Sequence, residues 1–156
     1  MDTPKMVAYD ESRTTKESQL FAADLFERYP DFRQYAAMEH VPGSELWDLV
    51  VTIPAPSGDP KALLTLWVDN GIEPSLEFGD WHTHAGLWSI DANDTWQHTA
   101  ILDLVAGILT DRIILCEDVG GTGNGYTTII DLAIKDALLD ELTSKYSPGR
   151  ARLRSW

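Results

Sequence analysis

His82 and His84 stand one residue apart in the segment Gly79-Asp80-Trp81-His82-Thr83-His84. In an extended strand, side chains alternate faces, so both imidazoles point the same way. Neutral imidazole is a common zinc ligand, and a catalytic zinc takes three protein ligands and a water. His82 and His84 supply two, and Asp91 supplies a carboxylate third, with Asp94 close behind. Asp80 is placed to orient an imidazole from behind. The competing reading is a polar or aromatic binding patch. Trp81 and Trp88 flank the histidines, and Trp67 falls on the strand face opposite Leu66 and Val68. Amphipathic aromatics of this kind anchor interfaces, so Asp80, Trp81, His82, His84, Trp88 and Trp67 form the candidate binding set. A third reading leaves the histidines as a purely structural tie.

Other chemistry is less well supported by the residues. The run Gly120-Gly121-Thr122-Gly123-Asn124-Gly125 has no Gly-Lys-Ser/Thr and leads into a strand, so it reads as a hairpin loop rather than a phosphate loop. No Gly-x-Ser-x-Gly is present. The single cysteine, Cys116, lies in the apolar run Ile113-Ile114-Leu115-Cys116, where a buried inert thiol is expected. A lone cysteine also excludes an intramolecular disulfide, which suits the cytoplasm.

The elements that must position these residues are read from periodicity. Thr14-Thr15-Lys16-Glu17 fits a capping box opening a helix over 15–29, with Leu20, Phe21, Leu25 and Phe26 inward. Pro30 opens a second short helix to about Met38. A period of two then marks strands over 45–53 and 62–68, the first with Trp47, Leu49, Val51 and Ile53 on one face and Asp48 and Thr52 on the other. An Asn70-Gly71 hairpin turn leads to a third strand over 75–83. There Leu76, Phe78, Asp80 and His82 share a face. Caps among Asp91-Ala92-Asn93-Asp94 start a helix with the stripe Trp96, Ala100, Ile101, Leu104, Val105, Ile108 and Leu109, from which His98 and Asp103 are read as excluded. Strands over 112–119 and 126–134 and a helix over 135–146 complete the order α-α-β-β-β-α-β-β-α. The expected fold class is α+β: a mixed, mainly antiparallel five-stranded sheet with helices packed on one face. One domain spans 1–156, with 1–13 and 147–156 loosely ordered.

The net charge is −13 at pH 7, and all 25 acidic residues precede residue 145 while four of the twelve basic ones, Lys145, Arg150, Arg152 and Arg154, lie at or after it. An acidic body repels phosphates, so nucleic acid is disfavoured as a partner. It suits a basic protein instead. No apolar run is long enough to span a bilayer, and no signal peptide is visible, so no membrane association is expected.

Two family resemblances bear on the histidine pair. The strand end Ile53-Pro54-Ala55-Pro56-Ser57-Gly58, the strand Leu64-Thr65-Leu66-Trp67-Val68 and the segment Phe78-Gly79-Asp80-Trp81-His82-Thr83-His84 resemble a group of small uncharacterised bacterial proteins, some of them similar to toxin-system immunity proteins. Ile108-Leu109-Thr110-Asp111-Arg112 also fits, and Ala85 stands where that group often has Phe. This resemblance covers about residues 46–120. The group carries no activity to transfer; the acidic body, the aromatic-rich strand ends and the absence of a complete catalytic set lead to the expectation of a non-catalytic protein that binds a partner such as a cognate basic toxin domain. Separately, Trp81-His82-Thr83-His84 and the elements after it resemble the JAB/MPN (JAMM) metalloproteases, which carry His-x-His-Pro and then a serine and an aspartate at a helix start. Ala85 replaces the proline, Ser89 and Asp91 or Asp94 depart from the family spacing, and Glu45 and Glu77 are the available upstream carboxylates. That resemblance, over about residues 78–135, implies a zinc-dependent hydrolase centred on His82 and His84.

Overall fold

The helix expected after Thr14 forms over Lys16–Arg28 (α1), capped by Thr15, whose side chain accepts from the Ser18 amide. Thr14 instead gives its hydroxyl to the Glu11 carbonyl at 2.8 Å. The cap therefore falls one residue later than expected, and the reciprocal half of the box is replaced: the Thr15 amide donates to the Trp47 carbonyl, and Glu17 turns to His98. Phe21, Ala22, Leu25 and Phe26 are buried on α1, while Leu20 is exposed. The computed structural model describes residues 5–85, 95–118, 127–132 and 151–156. The helix expected over 135–146, the glycine loop 120–125, Trp88, Asp91 and Asp94 lie outside the described residues.

The α+β class holds, with strands paired antiparallel wherever a register is resolved. The sheet content departs from the five strands expected. Six strands run in the order β1-β2-β3-β4-β5-β6: Val7–Ala8, Ala36–His40, Trp47–Ile53, Leu64–Asp69, Glu73–Phe78 and Trp81–His84. A second helix, Thr95–Leu109 (α2), follows. A separate sheet has the order β8-β7-β9, from Ile113–Asp118 (β7), Thr127–Asp131 (β8) and Ala151–Arg154 (β9). Both chain ends thus contribute strands.

Two departures have clear physical causes. Pro30 opens only a 3-10 turn, Pro30–Tyr35, after which Ala36–His40 is a strand. Ala and Met favour helix in isolation. Here β3 offers a complete ladder from Ala36↔Val51 to His40↔Trp47, and pairing overrides a propensity worth tenths of a kcal/mol per residue. The strand expected over 75–83 is broken at Gly79, whose φ of +58° turns the chain back at Gly79-Asp80. A Cβ at Gly79 would come within 2.6 Å of both Leu115 Cδ1 and the Lys61 carbonyl oxygen. Only glycine meets the backbone angle and the close approach together. Asp80 and His82 therefore do not continue the face of Leu76 and Phe78. At the β4–β5 hairpin, Asn70 and Gly71 have φ of +50° and +69°, the pair of positive angles a tight hairpin turn demands.

The chain divides into two compact units. The first comprises Met1–Ile53, Leu64–Glu77 and His82–Leu102. Among its described residues Phe21, Leu25, Met38, Leu49, Val51, Leu66, Leu76 and Ile101 are fully buried. Alternate residues of β4 (Leu64, Leu66, Val68) are buried as period two requires, with Thr65, Trp67 and Asp69 partly exposed.

The second unit comprises Pro54–Leu63, Phe78–Trp81 and Asp103–Trp156. Among its described residues Phe78, Val105, Ile108, Leu115 and Cys116 are fully buried, so the thiol is interior as expected. Its terminal strand β9 is fastened by Arg154, which makes paired contacts with Glu117 at 3.3 Å and an ion pair with Asp59. No described helix is long and apolar enough to cross a membrane.

Candidate functional site

The β5–β6 hairpin places the histidine pair. Within β6, side chains alternate, with His82 exposed, Thr83 buried and His84 half-buried. His82 and His84 rings lie edge to face with centroids 5.9 Å apart, so the expectation that they share one side holds within β6. Three strands of the first unit meet at His84. Its Nδ1 is 2.7 Å from the Ser75 hydroxyl on β5. Its ring stands perpendicular to Trp67 of β4, centroids 6.1 Å apart. The Ser75 bond fixes the ring and engages one nitrogen, leaving Nε2 as the atom a metal or a partner could take.

Of the expected site residues, the structure thus brings together Trp67, His82 and His84, and adds Ser75. Asp80 is exposed at the turn and Trp81 is half-buried; both belong to the second unit. Trp88 and the expected third zinc ligand, Asp91, lie outside the described residues. Among the described residues no three His, Cys, Asp or Glu side chains are grouped to hold a metal ion.

A second histidine centre was not foreseen. His98, read as lying off the α2 stripe, is 5% exposed. Its Nδ1 is 2.6 Å from Asp24 Oδ2 and its Nε2 2.6 Å from Glu17 Oε1. Phe21 meets its ring edge-on at 5.5 Å between centroids. Glu17, Phe21 and Asp24 recur at four- and seven-residue spacing, so they line one face of α1. Burial pushes the His98 pKa down, but the hydrogen bonds and charges of Glu17 and Asp24 outweigh it, and the net direction is upward. A cavity of about 520 Å³ adjoins the group, lined by Asp24, Glu27 and Arg28 of α1 and His98, Thr99 and Leu102 of α2. The sequence did contain a signal. His98, Ile101, Leu102 and Val105 follow the three-four spacing of a buried face, displaced from the stripe drawn through Ala100 and Leu104.

Asp48, expected on the face opposite Leu49, is also buried, at 5% exposure. Its Oδ1 accepts from the Thr15 hydroxyl at 2.6 Å and the Ser18 hydroxyl at 3.1 Å, and its Oδ2 from the Gly71 amide at 2.8 Å. The Ser18 hydroxyl oxygen in turn accepts from the Leu49 amide. One carboxylate thereby ties the start of α1 to β3 and to the Asn70-Gly71 turn. Its oxygens are consumed by structure rather than presented for chemistry.

No protein-family model, curated protein or solved structure matches this chain.

Proposed function

We propose that the chain is an acidic, cytoplasmic protein that binds a partner, in the manner of an immunity protein holding a basic toxin domain, and that it does so without chemistry of its own. The observation that carries this reading is the row Trp67–His84–His82 in the first unit. It is aromatic, partly exposed, and fixed by the Ser75 bond before any partner arrives. Rigid amphipathic rings give contact area at low entropic cost, and the charge of −13 steers a basic partner toward it. The test is co-expression of the full chain with basic, toxin-like products of neighbouring genes. A stable complex, weakened at least about tenfold by Trp67→Ala, is the expected outcome. Failure to form a complex with any such product removes the proposal.

The second reading is a zinc-dependent hydrolase of JAMM type, favoured by the adjacent imidazoles of His82 and His84. Elemental analysis of untagged protein separates the two. Stoichiometric zinc that disappears in His82→Ala/His84→Ala supports the hydrolase. Substoichiometric metal that the double replacement leaves unchanged ends it.

A further inference from the structure

Both ring nitrogens of His98 are within 2.6 Å of a carboxylate oxygen. A neutral imidazole has one N–H and one lone pair. In that state one of the two contacts would set a lone pair against a carboxylate. The geometry is satisfied when both nitrogens carry hydrogen, as in the imidazolium, which gives two charge-assisted bonds. We infer that Glu17, His98 and Asp24 form a proton-operated latch closing α1 against the first turn of α2, shut while His98 is doubly protonated and released when it loses its proton.

The two arms of the latch are unequal. The Glu17 side chain is 10% exposed and that of Asp24 is 51% exposed. On deprotonation Glu17 has little room to regain water, whereas Asp24 already borders the cavity. Release therefore begins at Asp24, and the cavity of about 520 Å³ admits the water that replaces the lost bond. Four charged side chains of α1 border His98 or that cavity: Glu17, Asp24, Glu27 and Arg28. From α2 the cavity-lining neighbours Thr99 and Leu102 are uncharged, and Phe21 offers a ring edge. Three acids against one arginine favour the cation. Because His98 titrates above its ordinary value in the fold, its stabilisation is fully present below the unfolded value of about 6.5 and is lost as pH rises through the folded one. The latch is thus closed in mild acid and opens toward alkaline pH.

The experiment is imidazole-labelled NMR titration of the full chain, paired with amide exchange of α1 between pH 6 and 9 corrected for intrinsic exchange. The His98 midpoint is expected above the ordinary imidazole value of about 6.5, with α1 exchange accelerating about tenfold as His98 deprotonates. Asp24→Asn, which keeps the buried arm intact, is expected to lower the His98 midpoint and move the acceleration to lower pH. His98→Gln is expected to abolish the pH-dependent component. A His98 midpoint at or below the ordinary imidazole value of about 6.5 overturns the latch. So does α1 protection that stays flat across its titration, or an Asp24→Asn profile identical to the parent's.

Discussion

The hairpin imidazoles and the α2 imidazole are one chemical group in two environments. His82 is exposed, and His84 is half-buried with a neutral hydroxyl as its polar partner. His98 is interior, and its partners are two carboxylates. An exposed ring exchanges its bonds with water at little cost and is available to a visitor. A buried ring with both nitrogens engaged is unavailable to a visitor, and its loss strands the groups around it. The pair on β6 is therefore where binding is sought, and the single residue on α2 is where stability and pH response reside. Placement among acids, rather than proximity of two histidines, marks the ring whose loss is expected to cost most.

The sharpest way to break this contrast is to remove each ring and compare unfolding free energies. His98→Ala is expected to cost about 3 kcal/mol, because it leaves the nearly buried Glu17 carboxylate unpaired and empties the space against Phe21. Denaturant unfolding at pH 6 measures this. A loss under about 1 kcal/mol would place His98 with the surface histidines. Next in size, Glu17→Gln should destabilise by roughly 2 kcal/mol and Asp24→Asn by about 0.5 kcal/mol, following the burial of the two carboxylates. Equal losses would show that the two arms share the load. On the hairpin, His84→Ala should cost about 1 kcal/mol through the Ser75 bond and the Trp67 edge contact. His82→Ala should fall within about 0.5 kcal/mol of the parent, while still weakening partner or metal binding. If His82→Ala proved the more damaging to folding, the hairpin would be a structural tie rather than a site.

Much of this architecture was legible in advance, and particular residues show why. The apolar spacing of α1 and of Ile101, Leu104, Val105 and Ile108, and the alternation in β4, follow from the need of each element to bury one face, whereas β3 is buried on both, Asp48 and Val50 as well as Leu49 and Val51. The Asn70-Gly71 turn was legible because two positive φ angles in sequence are nearly specific to such residues. Gly79-Asp80 carries a related signal between apolar-alternating segments, and reading through it merged two strands into one. Ala36–His40 was not legible locally, since its strand exists only because β3 lies beside it. The relation of His82 to His84 followed from two-residue spacing alone. Trp67 was in the candidate set as an amphipathic aromatic, but its contact with His84, and the arrival of Ser75, come from strand pairing that no spacing near residue 82 encodes.

By itself the sequence determined the α+β class, the main buried faces, the acidic surface and the same-side placement of His82 and His84, all consequences of short-range periodicity and composition. Only the tertiary structure decided that His98 sits between Glu17 and Asp24, separated from it by 81 and 74 positions in the chain. It likewise decided that Asp48 serves the start of α1 and the Asn70-Gly71 turn rather than solvent. The physical reason is the same for both. A polar side chain reads as surface until the fold supplies its partners, and those partners lie on elements whose packing no local pattern records.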